Sequence, residues 1–227
     1  MDTTELYTRF RADVFDAREP YLWSDTEVFQ YMDAAYKQFV RLQGGIADAS
    51  SDVTQIPIST GDPWVSLSPL LLSIRRASLL SNGRTVAIVN HADLDSYVGS
   101  YDYGVPKPPR IDGTPGEVRF MVTDMEQDRA RLINVPLVDD TLQLIVYRLP
   151  LRRLTGKGAQ IAEVHEQHHE YLLKWMKHLA YSKQDTEARN DKLADRFGAE
   201  FTRYCEQARQ ERTRREHKVR VVAYGGL

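Results

Sequence analysis

The chain has 227 residues, 42% of them apolar and 27% charged, with a formal net charge of −2. That is enough apolar material for one large domain or a core with an insertion, and the near-neutral balance excludes a polyelectrolyte that binds nucleic acid or membranes through bulk charge. A single cysteine, Cys205, excludes an intrachain disulfide and a cysteine-based zinc cluster, and no apolar run approaches the roughly 20 residues of a membrane helix.

The N-terminus is charged throughout and lacks the apolar core of a secretory signal, so a soluble chain made in the cytoplasm is expected. Residues 3–16 carry Leu6, Phe10 and Val14 at helical spacing, and Pro20 closes that segment. Ser24-Asp25-Thr26-Glu27 is a capping box, with Trp23 and Val28 placed as a hydrophobic staple. The stripe Val28, Met32, Ala35, Phe39 and Leu42 then predicts a helix over 24–43, stopped by Gly44-Gly45.

From about 53 to 150 the period falls to two. Pro57 marks an edge strand, and Asn82-Gly83 sits between two strands as a hairpin turn. Three further strands follow in "EVRFMVT", "ARLINV" and "LQLIVYRL", giving seven or so in all, and suggest a small sandwich or curled sheet. A Pro- and Gly-rich loop, "YDYGVPKPPRIDGTPGE", interrupts them without core-forming periodicity. Helical spacing returns over 160–183, and a last helix is expected from about 187 to 216 along Leu193, Phe197, Phe201, Tyr204 and Ala208. Asp185 or Thr186 is its expected N-cap.

His165-Glu166-Gln167-His168-His169 spells H-E-x-x-H, in which two imidazoles one helical turn apart bind zinc and the glutamate activates water. On a helix over 160–183 both His165 and His169 face the core, as ligands would and as packed histidines do. Catalytic zinc needs a third protein ligand. Leu172 and Trp175 stand where the extended motif has glycine and histidine; Glu187 reads better as part of a helix-helix turn, and nothing recommends His91 or Asp93. The packed reading is therefore preferred, with no metal and no other cofactor expected. A zinc hydrolase using His165, Glu166 and His169 is the alternative. No phosphate-cradling glycine loop and no nucleophile elbow occurs, and Cys205, mid-helix beside Tyr204, reads as core.

The C-terminal stretch is more informative. Seven basic residues fall between Arg203 and Arg220, against Glu206, Glu211 and Glu216. Cations suit a helix C-terminus, but the β-branched tail "VRVVAY" has no local core to join. Arg212, Arg214, Arg215, Lys218, Arg220, Val221, Val222 and Tyr224 are the candidate partner-binding residues, by strand addition or phosphate contact. A DNA-binding module built on the same basic helix end is a further alternative.

The order of these elements resembles the head-to-tail adaptor, or connector, proteins of tailed bacteriophages. The resemblance rests on Trp23-Ser24-Asp25-Thr26-Glu27 at a helix start, Asp93-Leu94-Asp95 near the first hairpin, Gly104-Val105-Pro106 in the long loop, Arg148-Leu149-Pro150-Leu151 after the last strand, and "HEYLLKWMKHLAYSKQD" from His169 to Asp185. It covers roughly residues 20–205, with Tyr101 or Tyr103 where such proteins carry a tryptophan. It implies a non-enzymatic virion protein that forms a homo-oligomeric, commonly dodecameric ring. Such a ring clamps the portal, receives tail, nozzle or tail-terminator proteins, surrounds double-stranded DNA and touches no membrane.

The expected fold class is α+β, a bundle of three to four helices with an inserted small antiparallel sheet or sandwich and an extended C-terminal tail. The expected divisions are residues 1–50 and 156–216 for the helices, 51–155 for the β-rich insertion and 217–227 for the tail. The protein is expected at the head-tail interface of the virion, and in the host cytoplasm during assembly.

Overall fold

The computed structural model describes residues 1–92, 94, 111, 113–184 and 189–215. The chain divides into two compact units, one drawn from residues 1–44 and 150–227, the other from residues 45–149.

The first unit holds four helices among its described residues: α1 (Thr3–Asp13), α2 (Asp25–Leu42), α3 (His169–Tyr181) and α4 (Asp191–Arg215). Asp2 starts α1 by accepting from the Glu5 amide at 2.8 Å, and Leu6 and Phe10 on one face are fully buried. The capping box at α2 forms as its sequence predicts. The Ser24 amide donates to the Glu27 carboxylate at 2.8 Å, and the Glu27 amide donates back to Ser24 Oγ at 3.3 Å. Val28, Met32, Ala35 and Phe39 along that helix are all fully buried, each of the larger ones contributing about 1.5–3 kcal/mol. Aromatic rings fill the space between helices. Phe39 meets Phe201 edge-on at 6.4 Å, Trp175 lies against Phe201 at 5.0 Å, and Trp23 meets both Phe10 and Tyr181 at 6.1 Å.

One charged group lies deep in this apolar setting. Arg11 is 4% exposed and donates to Tyr7 Oη at 3.1 Å, to the Trp23 carbonyl at 2.6 Å, to Asp25 at 2.8 Å and to Asp16. Asp16, itself buried, also accepts from the amides of Leu22 and Trp23. A buried cation is tolerated when paired and fully hydrogen-bonded, and this one fixes the turn that joins α1 to α2.

The described residues of the second unit form a sheet of eight strands: β1 (Ile46–Asp48), β2 (Gln55–Ile58), β3 (Trp64–Ser66), β4 (Leu71–Leu79), β5 (Thr85–Asn90), β6 (Phe120–Glu126), β7 (Arg129–Ile133) and β8 (Asp140–Arg148). Their order is β1-β8-β4-β5-β6-β7-β3, with β2 also paired to β8. Asn82-Gly83 makes the β4–β5 hairpin, with Gly83 at φ +67°. Pro57 sits on edge strand β2, opposite Thr141.

The α+β class holds, but a helical bundle carrying a small antiparallel insertion or sandwich does not. The sheet is a mixed, curled half-barrel. Its β5 leaves β4 after two residue pairs, Ala77 with Val86 and Ser78 with Thr85, and then runs parallel to β6 from Ala87–Phe120 to Asn90–Thr123. Register shifts in β4 between Leu71 and Ser73 and between Ile74 and Arg76 bend the sheet, as bulges do. The curl encloses one apolar cluster, including Ile58, Leu79, Met121, Leu132, Leu142 and Leu144. A second, smaller cluster of Val89, Leu94, Val122 and Ile133 is buried apart from it.

The helix expected over 160–183 begins only at His169. Residues 150–164 run as turns that bury Leu154, Ile161 and Val164 without helical pairing. The last helix starts near Asn190, whose side chain accepts from the Leu193 amide at 3.1 Å. The expected caps Asp185 and Thr186, and Glu187, lie outside the described residues. So do Asp93, Asp95, Tyr101, Tyr103, Gly104, Val105 and Pro106, as well as the extended tail.

Candidate functional site

The H-E-x-x-H segment is not one face of a helix. His165 caps a short 3-10 turn, Glu166–His168, and is exposed, contrary to the core-facing position that its spacing suggests. The Gln167 amide donates to His165 Nδ1 at 3.4 Å. Glu166 holds the Met1 amine at 2.8 Å, which keeps its carboxyl below the ordinary range. His169 is 4% exposed and hydrogen-bonded through Nε2 to the Val164 carbonyl at 2.8 Å, so that nitrogen carries the proton. Its Nδ1 is buried without a partner. His168 pairs instead with Tyr204 Oη at 2.9 Å, and burial lowers its pKa.

The three imidazoles therefore serve a cap, an inter-helix hydrogen bond and a helix start. Among the described residues no group of three or more His, Cys, Asp or Glu side chains could hold a metal. Cys205 is 1% exposed, and burial pushes its thiol up to about 12; it is packed, not poised for attack. No helix among the described residues is long and apolar enough to cross a membrane.

The basic C-terminal residues divide. Arg212 is half-buried, and its Nη1 donates to the Gln43 carbonyl at the end of α2 at 3.4 Å. An open carbonyl at a helix end is a natural acceptor for a guanidinium. Arg212 thus ties α4 to α2, while Arg214 and Arg215 are exposed. Lys218, Arg220, Val221, Val222 and Tyr224 lie outside the described residues.

Sequence reasoning missed two surfaces. On α4, residues 192, 196, 199, 203, 207, 210 and 214 recur at three- and four-residue spacing and are all exposed. That stripe holds Lys192, Arg196, Arg203 and Arg214 and no carboxylate. Counting charges along the chain hid it, because carboxylates alternate with these cations in sequence; exposed Asp195 and Glu206 flank the stripe, and Glu200 pairs with Arg196.

The other surface is at one end of the sheet. Leu80, Leu137 and Val138 are 58%, 61% and 68% exposed. Leu137 and Val138 line a groove of about 320 Å³ together with Ile58, Leu79, Val118 and Pro136. The available signal was "PLVDD", two large apolar residues in a turn, where polar residues are usual. Phe15 is a further exposed anchor, 96% accessible and held at φ +57° after α1.

Among the described residues what stands out is exposed apolar and charged surface of the kind that partners cover. No curated protein matches the chain. A family model described as SU10 adaptor protein matches residues 1–222, reaching across both compact units. The chain therefore belongs to the SU10 adaptor family and is a structural adaptor protein of bacteriophage head-to-tail type.

Proposed function

We propose that this chain is one subunit of a dodecameric head-to-tail adaptor ring. The ring joins the portal to the tail, nozzle or tail-terminator proteins and lines part of the channel through which double-stranded DNA passes. It acts as a structural part of the virion and catalyses nothing. The observation that carries this reading is the family match over residues 1–222. Exposed Leu80, Leu137, Val138 and Phe15 support it, since burial in an assembly would account for each.

In this reading the helices of residues 1–50 and 156–216 form the ring body. Residues 51–155 are its β-rich part, and residues 217–227 reach the portal. Arg214, Arg215, Lys218, Arg220, Val221, Val222 and Tyr224 make the portal contact. Arg212 acts one step back, fixing where the tail leaves α4 through its bond to Gln43.

The test is deletion of residues 217–227. The truncated chain should fold with unchanged helix content and fail to join portal particles in a pull-down. Portal binding equal to that of the full chain would remove the tail from the contact.

A further inference from the structure

Three turns meet at one end of the sheet. The Gly61 amide donates to the Pro136 carbonyl at 2.9 Å, Thr60 Oγ1 to Asp139 at 2.8 Å and Ser81 Oγ to Asp140 at 2.6 Å. These bonds hold Leu137 and Val138 outward beside the apolar groove they line. Asp62, Asp139 and Asp140 belong to the same turns. Arg84, in the β4–β5 hairpin, shares Glu117 with Arg119, so that cluster sets one positive charge against the three carboxylates.

The α4 stripe has the opposite character. Lys192, Arg196, Arg203 and Arg214 follow one another over about 33 Å of helix, with Ala199 and two glutamines between them. Arg196 is paired with Glu200 at 2.9 Å. Lys192, Arg203 and Arg214 have no ion-pair partner among the described residues. The contrast extends to the units that carry these surfaces. Residues 45–149 contain nine Lys and Arg against thirteen Asp and Glu, whereas the rest of the chain has twenty-one against nineteen.

We infer that these two surfaces meet between copies, the α4 stripe of one chain lying across the acid-bearing sheet end of a second. The inference rests on the reading of the chain as a ring subunit and names the contact that would build the ring. Charge selects this pairing: stripe against stripe opposes cations, and sheet end against sheet end opposes carboxylates. The aliphatic stems of the arginines, lysine and glutamines cover Leu137 and Val138 while their heads reach Asp62, Asp139 and Asp140. The contact joins two different patches, so each copy keeps one of each free for the next, as a closed ring requires.

Sedimentation equilibrium of the full chain tests this across a salt series. The chains compared are the wild type, Leu137→Lys/Val138→Lys, Arg203→Glu/Arg214→Glu and the combination of all four. Every substituted side chain is exposed, and circular dichroism melting checks that each variant is folded. The wild type should self-associate, less strongly as salt rises. Each double variant should weaken association on the order of ten-fold or more, by setting like charges against each other. The combination should recover association, because new lysines then face new glutamates.

A monomeric wild type, double variants that associate like the wild type, or a combination no better than either double would overturn the contact. Electron microscopy on portal particles separates the two readings. Rings formed equally by all four chains reject this interface and leave the ring standing; rings formed by none of them reject both.

Discussion

Replacing Arg11 by Met tests the helical unit at its most committed point. Met refills most of the aliphatic volume but removes four hydrogen-bonding contacts, to Tyr7, Asp16, Trp23 and Asp25. Asp16, with its side chain 6% exposed, then keeps only the amides of Leu22 and Trp23 and loses its counter-charge. Breaking a buried pair in this way costs about 3–5 kcal/mol. The Trp23 carbonyl, whose bond to Arg11 was 2.6 Å, adds to that at the usual scale of about 1–3 kcal/mol if it stays dry. Asp25 is half exposed and adds little. A total loss of about 4–8 kcal/mol is expected.

Urea unfolding followed by tryptophan fluorescence in a Trp64→Phe background reads the helical unit alone, because Trp23 and Trp175 both belong to it. Adding Asp16→Asn to Arg11→Met removes the stranded charge while leaving an acceptor for the two amides, and should restore roughly half of the loss. A single-variant loss below about 1 kcal/mol, or a double variant no more stable than the single, would refute the view that Arg11 holds the α1–α2 turn through charge.

Three further outcomes follow from local geometry. Gly45→Ala should destabilise the sheet unit by about 2–4 kcal/mol in chemical denaturation, since Gly45 sits at φ +90° and a Cβ there would lie 2.9 Å from Tyr147 Cβ. Glu27 is held at about 2, chiefly by its 2.8 Å bond to Lys183. Its folded pKa lies below the ordinary 4.5, so its stabilisation is complete above that pH and drains as pH falls toward 2. Glu27→Gln should therefore flatten stability against pH between about 5 and 2 by on the order of 1–2 kcal/mol, and an unchanged acid limb would contradict the pairing. Cys205 should react with a thiol reagent only at the rate of unfolding, as its burial and raised pKa require; fast labelling of the native protein would place it elsewhere.

Much of the helical unit was legible because its signals are local. The Ser24–Glu27 box, the Val28-to-Phe39 stripe and the Asn82-Gly83 turn each specify structure within a few residues. The start of α3 was not legible: residues 161–168 have helical spacing, but His165 and Glu166 are drawn into a cap and a bond to the Met1 amine. The parallel pairing of β5 with β6 depends on residues thirty-three positions apart, which no short pattern encodes. The candidate surfaces were half legible. The count of basic residues toward the C-terminus drew attention to α4 but included Arg212, which bonds to Gln43. The sheet end escaped because it is assembled from three turns distant in sequence.

Cryo-electron microscopy of the purified chain mixed with the portal of its own phage tests the central claim most directly. A ring of copies is expected at one end of the portal, with residues beyond Arg215 in contact with it. Portal particles that stay bare at saturating adaptor concentration would contradict it.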